Sequence, residues 1–97
     1  MLRFKYCKTH LEDEEYMNKM SSMGWHTKSL VEGFWLFTKG QPNKYTYRIY
    51  YLRRMDKESI QHKIEELEKQ NIEFVHKYSF WGIFRTSKDF KLYNNDQ

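Results

Sequence analysis

The sequence predicts an α+β domain made of two strand-helix-strand-strand units that share one core, and three observations carry that prediction. Sliding the chain against itself by 47 positions pairs Leu2 with Ile49, Met17 with Ile64, Met20 with Leu67, Gly24 with Asn71 and Phe37 with Phe84, with no slip in register. Apolar residues recur at every second position in several stretches and at every third or fourth in two others, the periods of strands and helices. Ninety-seven residues can bury one core but not two, so the units must pack on each other. The expected architecture is two βαββ pseudo-repeats forming an antiparallel sheet of about six strands, with two helices on one face and a pseudo-twofold axis between the units. The whole chain, 1–97, is expected to be a single domain, with repeat units at 1–43 and 44–90 and a polar tail at 91–97.

The elements follow in order. Leu2, Phe4 and Tyr6 alternate with Arg3, Lys5 and Cys7, a strand with one wet face. Thr9 and Glu12 have the spacing of a capping box, and Asp13, Glu14 and Glu15 suit a helix N-terminus. The helix they start runs to about Met23, with Tyr16, Met17, Met20 and Met23 inward, and Gly24 suits its left-handed stop. Trp25 to Val31 and Phe34 to Lys39 are strands joined by a tight turn at Glu32-Gly33. Gly40-Gln41-Pro42-Asn43 is a loop, because Pro42 cannot donate to a ladder. Lys44 to Leu52 alternates again, with Tyr45, Tyr47, Ile49 and Tyr51 on one face. Asp56 caps a second helix whose stripe is Ile60, Ile64 and Leu67, with Glu65 and Lys69 as a supporting pair. Ile72 to Lys77 and Phe80 to Thr86 form a closing hairpin, and Phe90, Leu92 and Tyr93 suggest a short extra strand.

Composition excludes several classes. The aromatic share is 19%, yet mean hydropathy is −0.98, so the apolar content is concentrated in a few large rings among many charges. The single cysteine, Cys7, rules out an internal disulfide and fits a reducing compartment, so the expected location is the cytoplasm. The start, Met1-Leu2-Arg3-Phe4-Lys5, is neither a signal peptide nor a membrane span. The formal charge of +4 favours polyanions only weakly, since Lys and Arg are interleaved with Asp and Glu.

Five stretches resemble a known bacterial family: Tyr16-Met17-Asn18-Lys19-Met20, Met23-Gly24-Trp25-His26, Phe37-Thr38-Lys39-Gly40, Tyr45-Thr46-Tyr47-Arg48 and Phe80-Trp81-Gly82-Ile83-Phe84-Arg85. Met20 to Gly24-Trp25, Phe37 to Gly40 and Tyr47-Arg48 look like the recurring features of domain of unknown function 2812. The chain departs from that pattern after Tyr47-Arg48, where Ile49-Tyr50-Tyr51 replaces the usual acidic residue, so no role for a carboxylate is carried over. The resemblance implies a regulatory or sensing setting, because members often precede membrane segments and tend to be encoded beside PadR-type repressors. A chain continuing into such segments would sit at the cytoplasmic face of the membrane. The tandem topology also resembles the effector-binding domains of the GyrI-like superfamily, a likeness that does not fix function.

No catalytic or metal-binding constellation stands out. His10, His26, His62 and His76 form no HxH or HExxH pattern, and no Cys-x-x-Cys is present, so neither metal nor cofactor is expected. Lys5, Lys8 and His10 could lower the Cys7 thiol, but no base or oxyanion donor accompanies it. The glycines fall singly, so no phosphate loop exists.

The stronger signal is a surplus of apolar residues. Phe34 and Leu36 alternate with Trp35 and Phe37, so both faces of one strand are apolar, while two helices cover only one side of a sheet. The candidate open face is Trp35, Phe37, Arg48, Tyr50, Trp81 and Arg85, whereas Phe4, Met17, Met20, Trp25, Ile64 and Leu67 are expected in the core. Such a face suits a non-enzymatic module binding a regulatory protein, a second copy of the chain, or a small apolar or cationic ligand with Glu32 or Glu73 as counter-charge. The alternative is single-stranded nucleic acid, with bases stacked on Trp35, Tyr50 and Trp81 and phosphates on Arg48, Arg53, Arg54 and Arg85.

Overall fold

The computed structural model describes residues 1–52 and 56–87. Its elements are β1 (Leu2–Phe4), α1 (His10–Ser22), β2 (Trp25–Val31), β3 (Phe34–Lys39), β4 (Tyr45–Tyr51), α2 (Lys57–Glu68), β5 (Ile72–Tyr78) and β6 (Trp81–Ser87). The strand suggested around Phe90, Leu92 and Tyr93 lies outside the described residues, as do Arg53 and Arg54. No helix among the described residues is long and apolar enough to cross a membrane.

The 47-residue repeat extends to the backbone. Both units give a three-stranded antiparallel sheet in the same order, β1-β3-β2 and β4-β6-β5. Leu2 pairs with Leu36 as Ile49 pairs with Ile83, and Phe4 with Phe34 as Tyr51 with Trp81. Each helix starts on a side-chain cap. Thr9 Oγ1 accepts the Glu12 amide at 3.1 Å, and Asp56 Oδ1 accepts the Ser59 amide at 2.7 Å. Glu12 reaches back one residue beyond the cap, to the Lys8 amide at 3.0 Å. Each helix is followed by a left-handed residue, Gly24 at φ 90° and Asn71 at φ 64°. A side chain at Gly24 would also meet the Gly40 carbonyl oxygen at 2.8 Å, because the Gly40 amide bonds the Gly24 carbonyl there. This contact joins the glycine after the first helix to the glycine that ends the Phe-x-x-Gly stretch.

The expected single sheet is instead two. Joining them would require β2 to pair with β5, and both strands carry a bulge at the equivalent place, between Thr27 and Ser29 and between Phe74 and His76. A bulge adds an unpaired residue and twists its strand, so these two edges cannot run a regular ladder together. They lie alongside each other, bridged where His76 Nε2–H donates to the Leu30 carbonyl at 3.2 Å. The sheets open away from this seam, and α1 fills the opening, touching β2 on one side and β4 on the other.

The main core lies in that opening. Met17 and Met20 of α1 meet Leu30, Trp35 and Phe37 from the first sheet and Tyr47 and Ile83 from the second. Tyr16 packs its ring edge-on against Trp35 and Phe37, at centroid distances of 5.0 and 5.9 Å. Phe84 follows Ile83 and therefore faces the other side of β6, where it is buried with Leu52 and Gly82. By the repeat, that side corresponds to the one α1 covers in the first unit, and α2 packs there along β5. The helices thus take opposite faces of the second sheet rather than one face of a common sheet. Leu67 is buried, whereas Ile64 and Trp25 are half-buried.

Candidate interaction surface

The six residues expected on one open face do not share a face. Trp35 and Phe37 point into the core at 0% and 1% exposure, and Trp35 Nε1–H is satisfied by the Lys5 carbonyl at 3.0 Å. Trp81 and Arg85 lie on the inner face of the second sheet. Trp81 is stacked against His10 at 4.2 Å and leans on Tyr51 at 4.5 Å, so its ring is already occupied. Arg85 lies over the Tyr45 ring at 3.9 Å, and its Nε–H bonds Glu73 at 2.8 Å, which removes Glu73 as a free counter-charge. Arg48 and Tyr50 are on the opposite face of β4; Arg48 is exposed, and Tyr50 packs edge-on against Phe84. The expectation failed because it assumed a flat sheet, and folding the chain into two sheets turns the Trp35 and Ile83 faces towards each other.

An open apolar face does exist, one residue out of register with the expected one. Directly paired residues share a face, so Leu2 and Leu36, and Phe4, Phe34 and Val31, all lie on the outside of the first sheet. Four of them are large and exposed: Leu2 66%, Phe4 59%, Val31 56% and Phe34 51%. Phe4, expected in the core, is instead on this face, its ring 4.9 Å from Phe34. It lies over Gly33, where a Cβ would come within 2.7 Å of the ring. Glu32 and Gly33 both have positive φ, 49° and 86°, the mirror-image turn that suits the twist of a hairpin.

The strand beside this face has an edge that no strand among the described residues pairs with. Met1 and Lys5 direct their backbone groups at Phe37 of β3 and at Gly33 of the turn before it, so Leu2 and Phe4 direct theirs away. The second sheet treats its matching edge differently. Three α1 side chains spaced along one helix line bond the outer backbone of β4. Ser21 Oγ–H donates to the Tyr45 carbonyl at 2.9 Å. Asn18 accepts the Tyr47 amide at 2.8 Å and donates to the Tyr47 carbonyl at 3.1 Å. Glu14 accepts the Ile49 amide at 2.9 Å.

Cys7, Asp13 and Tyr78 form the other polar cluster, beside a cavity of about 180 Å³. Tyr78 donates to Asp13 Oδ2 at 3.0 Å, tying β5 to the start of α1. Burial raises the Asp13 carboxyl above its ordinary value, against the pull of hydrogen bonds from Cys7 and Tyr78. The Cys7 thiol is pushed up to about 11, first by burial and then by its hydrogen bond to Asp13. A thiol held protonated at neutral pH is a poor nucleophile, so this cluster acts as a latch between units. Among the described residues no group of three or more His, Cys, Asp or Glu side chains is placed to hold a metal. His26 is likewise engaged in structure, its Nε2–H donating to the Gln41 carbonyl at 2.8 Å.

The molecule is therefore an α+β domain of two βαββ repeats in which, among the described residues, an apolar sheet face and a sheet edge of the same unit are left open. The chain belongs to the family described as Protein of unknown function (DUF2812), whose model matches residues 10–97. The match begins at the first residue of α1, so β1 precedes it. None of the curated proteins and none of the solved structures compared with the chain matches it.

Proposed function

We propose that the protein is a non-enzymatic, regulatory protein-interaction module that docks a partner on the outer face of its first sheet. One observation carries this reading: Leu2, Phe4, Val31 and Phe34, each more than half exposed, are contiguous on a single sheet face. Exposed apolar side chains scattered singly need no explanation, but a contiguous patch beside an open edge is the kind of surface partners use. The second unit supports it, because four of the five equivalent residues, Ile49, Tyr78, Trp81 and Ile83, are packed against α1 and the core, and Tyr51 stays exposed beside Trp81.

The other readings keep fewer of their expected groups among the described residues. Nucleic-acid stacking has neither Trp35 nor Trp81 free, and Arg85 is paired. A cationic ligand would look for Tyr16 in the groove of about 650 Å³ between β1 and α1, but Lys5 Nζ already lies 5.4 Å from that ring centre. The test is a photo-crosslinking amino acid placed at position 34 and, as control, at Phe80, which is exposed at the β5–β6 turn of the second sheet. A discrete protein adduct from position 34 that is missing from position 80 supports the reading. Equal labelling from both positions, or none from 34, overturns it.

A further inference from the structure

We infer that the partner element recognised by this face is an amphipathic α-helix, laid across the first sheet and along the β1 edge in the way α1 lies on the second sheet and along β4. The inference deepens the docking reading above and rests on it. Its basis is the repeat. The second sheet has an inner face and a β4 edge, both occupied by α1. The first sheet presents the equivalent face and, at Leu2 and Phe4, the stretch of edge that corresponds to Ile49 and Tyr51, and among the described residues no helix covers either.

The occupied copy supplies the chemistry of the missing helix. Glu14, Asn18 and Ser21 show that a helix running antiparallel to the strand can satisfy such an edge, and of their three partners it is Ile49, held by Glu14, that has a counterpart in β1. The Ile49 amide held by Glu14 corresponds to the Leu2 amide, so the incoming helix needs an acceptor there. His10 stacks on Trp81, which corresponds to Phe34, so an aromatic or imidazole ring fits one turn earlier. Asp13 accepts from Tyr78, but the corresponding residue is Val31, which has no donor. At that position the incoming helix must be apolar, because a carboxylate set against Val31 and Phe34 would lose water without gaining a partner.

Self-association serves this face less well. Head-to-tail stacking would have to place α2 of a second copy there, and α2 turns Ile60, Ile64 and Leu67 to partial or full burial while its exposed residues, such as Glu58, His62, Glu65 and Glu66, are polar. That is the polar outer face of a terminal repeat. Pairing two first sheets face to face would use only the face and leave both β1 edges unpartnered. Three strands about 4.8 Å apart and about 17 Å long span roughly 250 Å², small beside the roughly 800 Å² per partner of a stable dimer.

The experiment uses the full chain, isotope-labelled, titrated with a synthetic peptide of residues 8–24 that carries Asp13→Leu. A lactam between Glu15 and Lys19, both exposed on α1, holds the peptide helical. The expected result is saturable amide shifts confined to Leu2, Phe4, Val31, Phe34 and Leu36, with the Leu2 amide moving most. Affinity should fall by more than about tenfold with Phe34→Lys in the protein, as for loss of a central aromatic anchor. It should also fall when the peptide lacks the Asp13→Leu change or carries Glu14→Ala. Absence of shifts, or shifts indifferent to Phe34→Lys, overturns the inference. If the peptide fails while crosslinking from position 34 still traps a partner, the docking face stands and the helical partner is wrong. If both fail, the docking reading falls with it.

Discussion

Phe34 and Trp35 are adjacent in β3 and face opposite sides of the first sheet, so truncating each to alanine separates the outer face from the core. Trp35→Ala removes a fully buried indole at 0% exposure and leaves the Lys5 carbonyl without its 3.0 Å donor. Truncating a buried aromatic costs about 3–5 kcal/mol, and the lost hydrogen bond about 1 kcal/mol more. Phe34 is 51% exposed, so only about half of its apolar surface is at stake and the cost should be about 1 kcal/mol. In a domain of this length each kcal/mol moves the melting temperature by about 4–8 °C. Trp35→Ala should therefore melt about 15–50 °C lower or fail to fold, against less than about 8 °C for Phe34→Ala. Thermal unfolding followed by far-UV circular dichroism, with urea midpoints as a check, reads the difference. Equal losses, or a larger loss for Phe34→Ala, would refute the assignment of faces on which the docking site depends.

Four further outcomes are expected. Asn18→Leu strands both the Tyr47 amide and carbonyl and should cost about 2–3 kcal/mol, with faster hydrogen exchange at Tyr47; an unchanged exchange rate counts against the edge seal. Asp13 has a raised pKa in the fold, so folding favours its protonated form, and stability from this group is present below the ordinary carboxylate pKa and lost as pH rises through the raised value. Urea midpoints of Asp13→Asn should accordingly lack the decline that the parent shows on leaving acid conditions. Cys7, with its thiol pushed up to about 11, should react with a disulfide reagent at pH 8 at least about tenfold more slowly than a free cysteine, and Asp13→Ala should speed it. Gly24→Ala, at φ 90° and facing the Gly40 oxygen, should cost more than about 1 kcal/mol, whereas Lys28→Ala on the exposed bulge should be near neutral by the same denaturation assay.

Much of the local structure was legible because it rests on local chemistry. The caps at Thr9 and Asp56 and the left-handed stop at Gly24 are set by residues a few positions apart, and the repeat extends the same pattern to Asn71. The bulges at Thr27 and Phe74 were not read from the sequence, although they repeat at the same spacing, since nothing in a strand's alternation marks an unpaired residue. Those bulges decide that the chain makes two sheets, so the error in architecture follows from them.

The face assignment failed at β3 for a related reason. Phe34-Trp35-Leu36-Phe37 is apolar on both sides, and period two says which residues share a side but not which side meets the helix. The tie is broken by tertiary contacts, with Trp35 reaching the Lys5 carbonyl and Tyr16 closing over it. The seal of the β4 edge was hidden for another reason. Glu14, Asn18 and Ser21 lie outside the apolar stripe read for this helix, yet they spend their polarity on backbone. A hint lay in Asn18 and Ser21 themselves, weak helix formers kept in mid-helix for a purpose other than helix stability.

The most direct test of the open face is solvent accessibility at methyl groups, read by NMR with a soluble, uncharged paramagnetic agent. Equivalent positions of the two repeats provide the internal comparison: Leu2 against Ile49, and Leu36 against Ile83. The account predicts strong relaxation at Leu2 and Val31, weaker relaxation at half-buried Leu36 and Ile49, and little at Ile83, Leu30 and Leu52. Protection of Leu2 and Val31 to the level of Ile83 would mean that this face is covered within the chain itself, and would contradict the account.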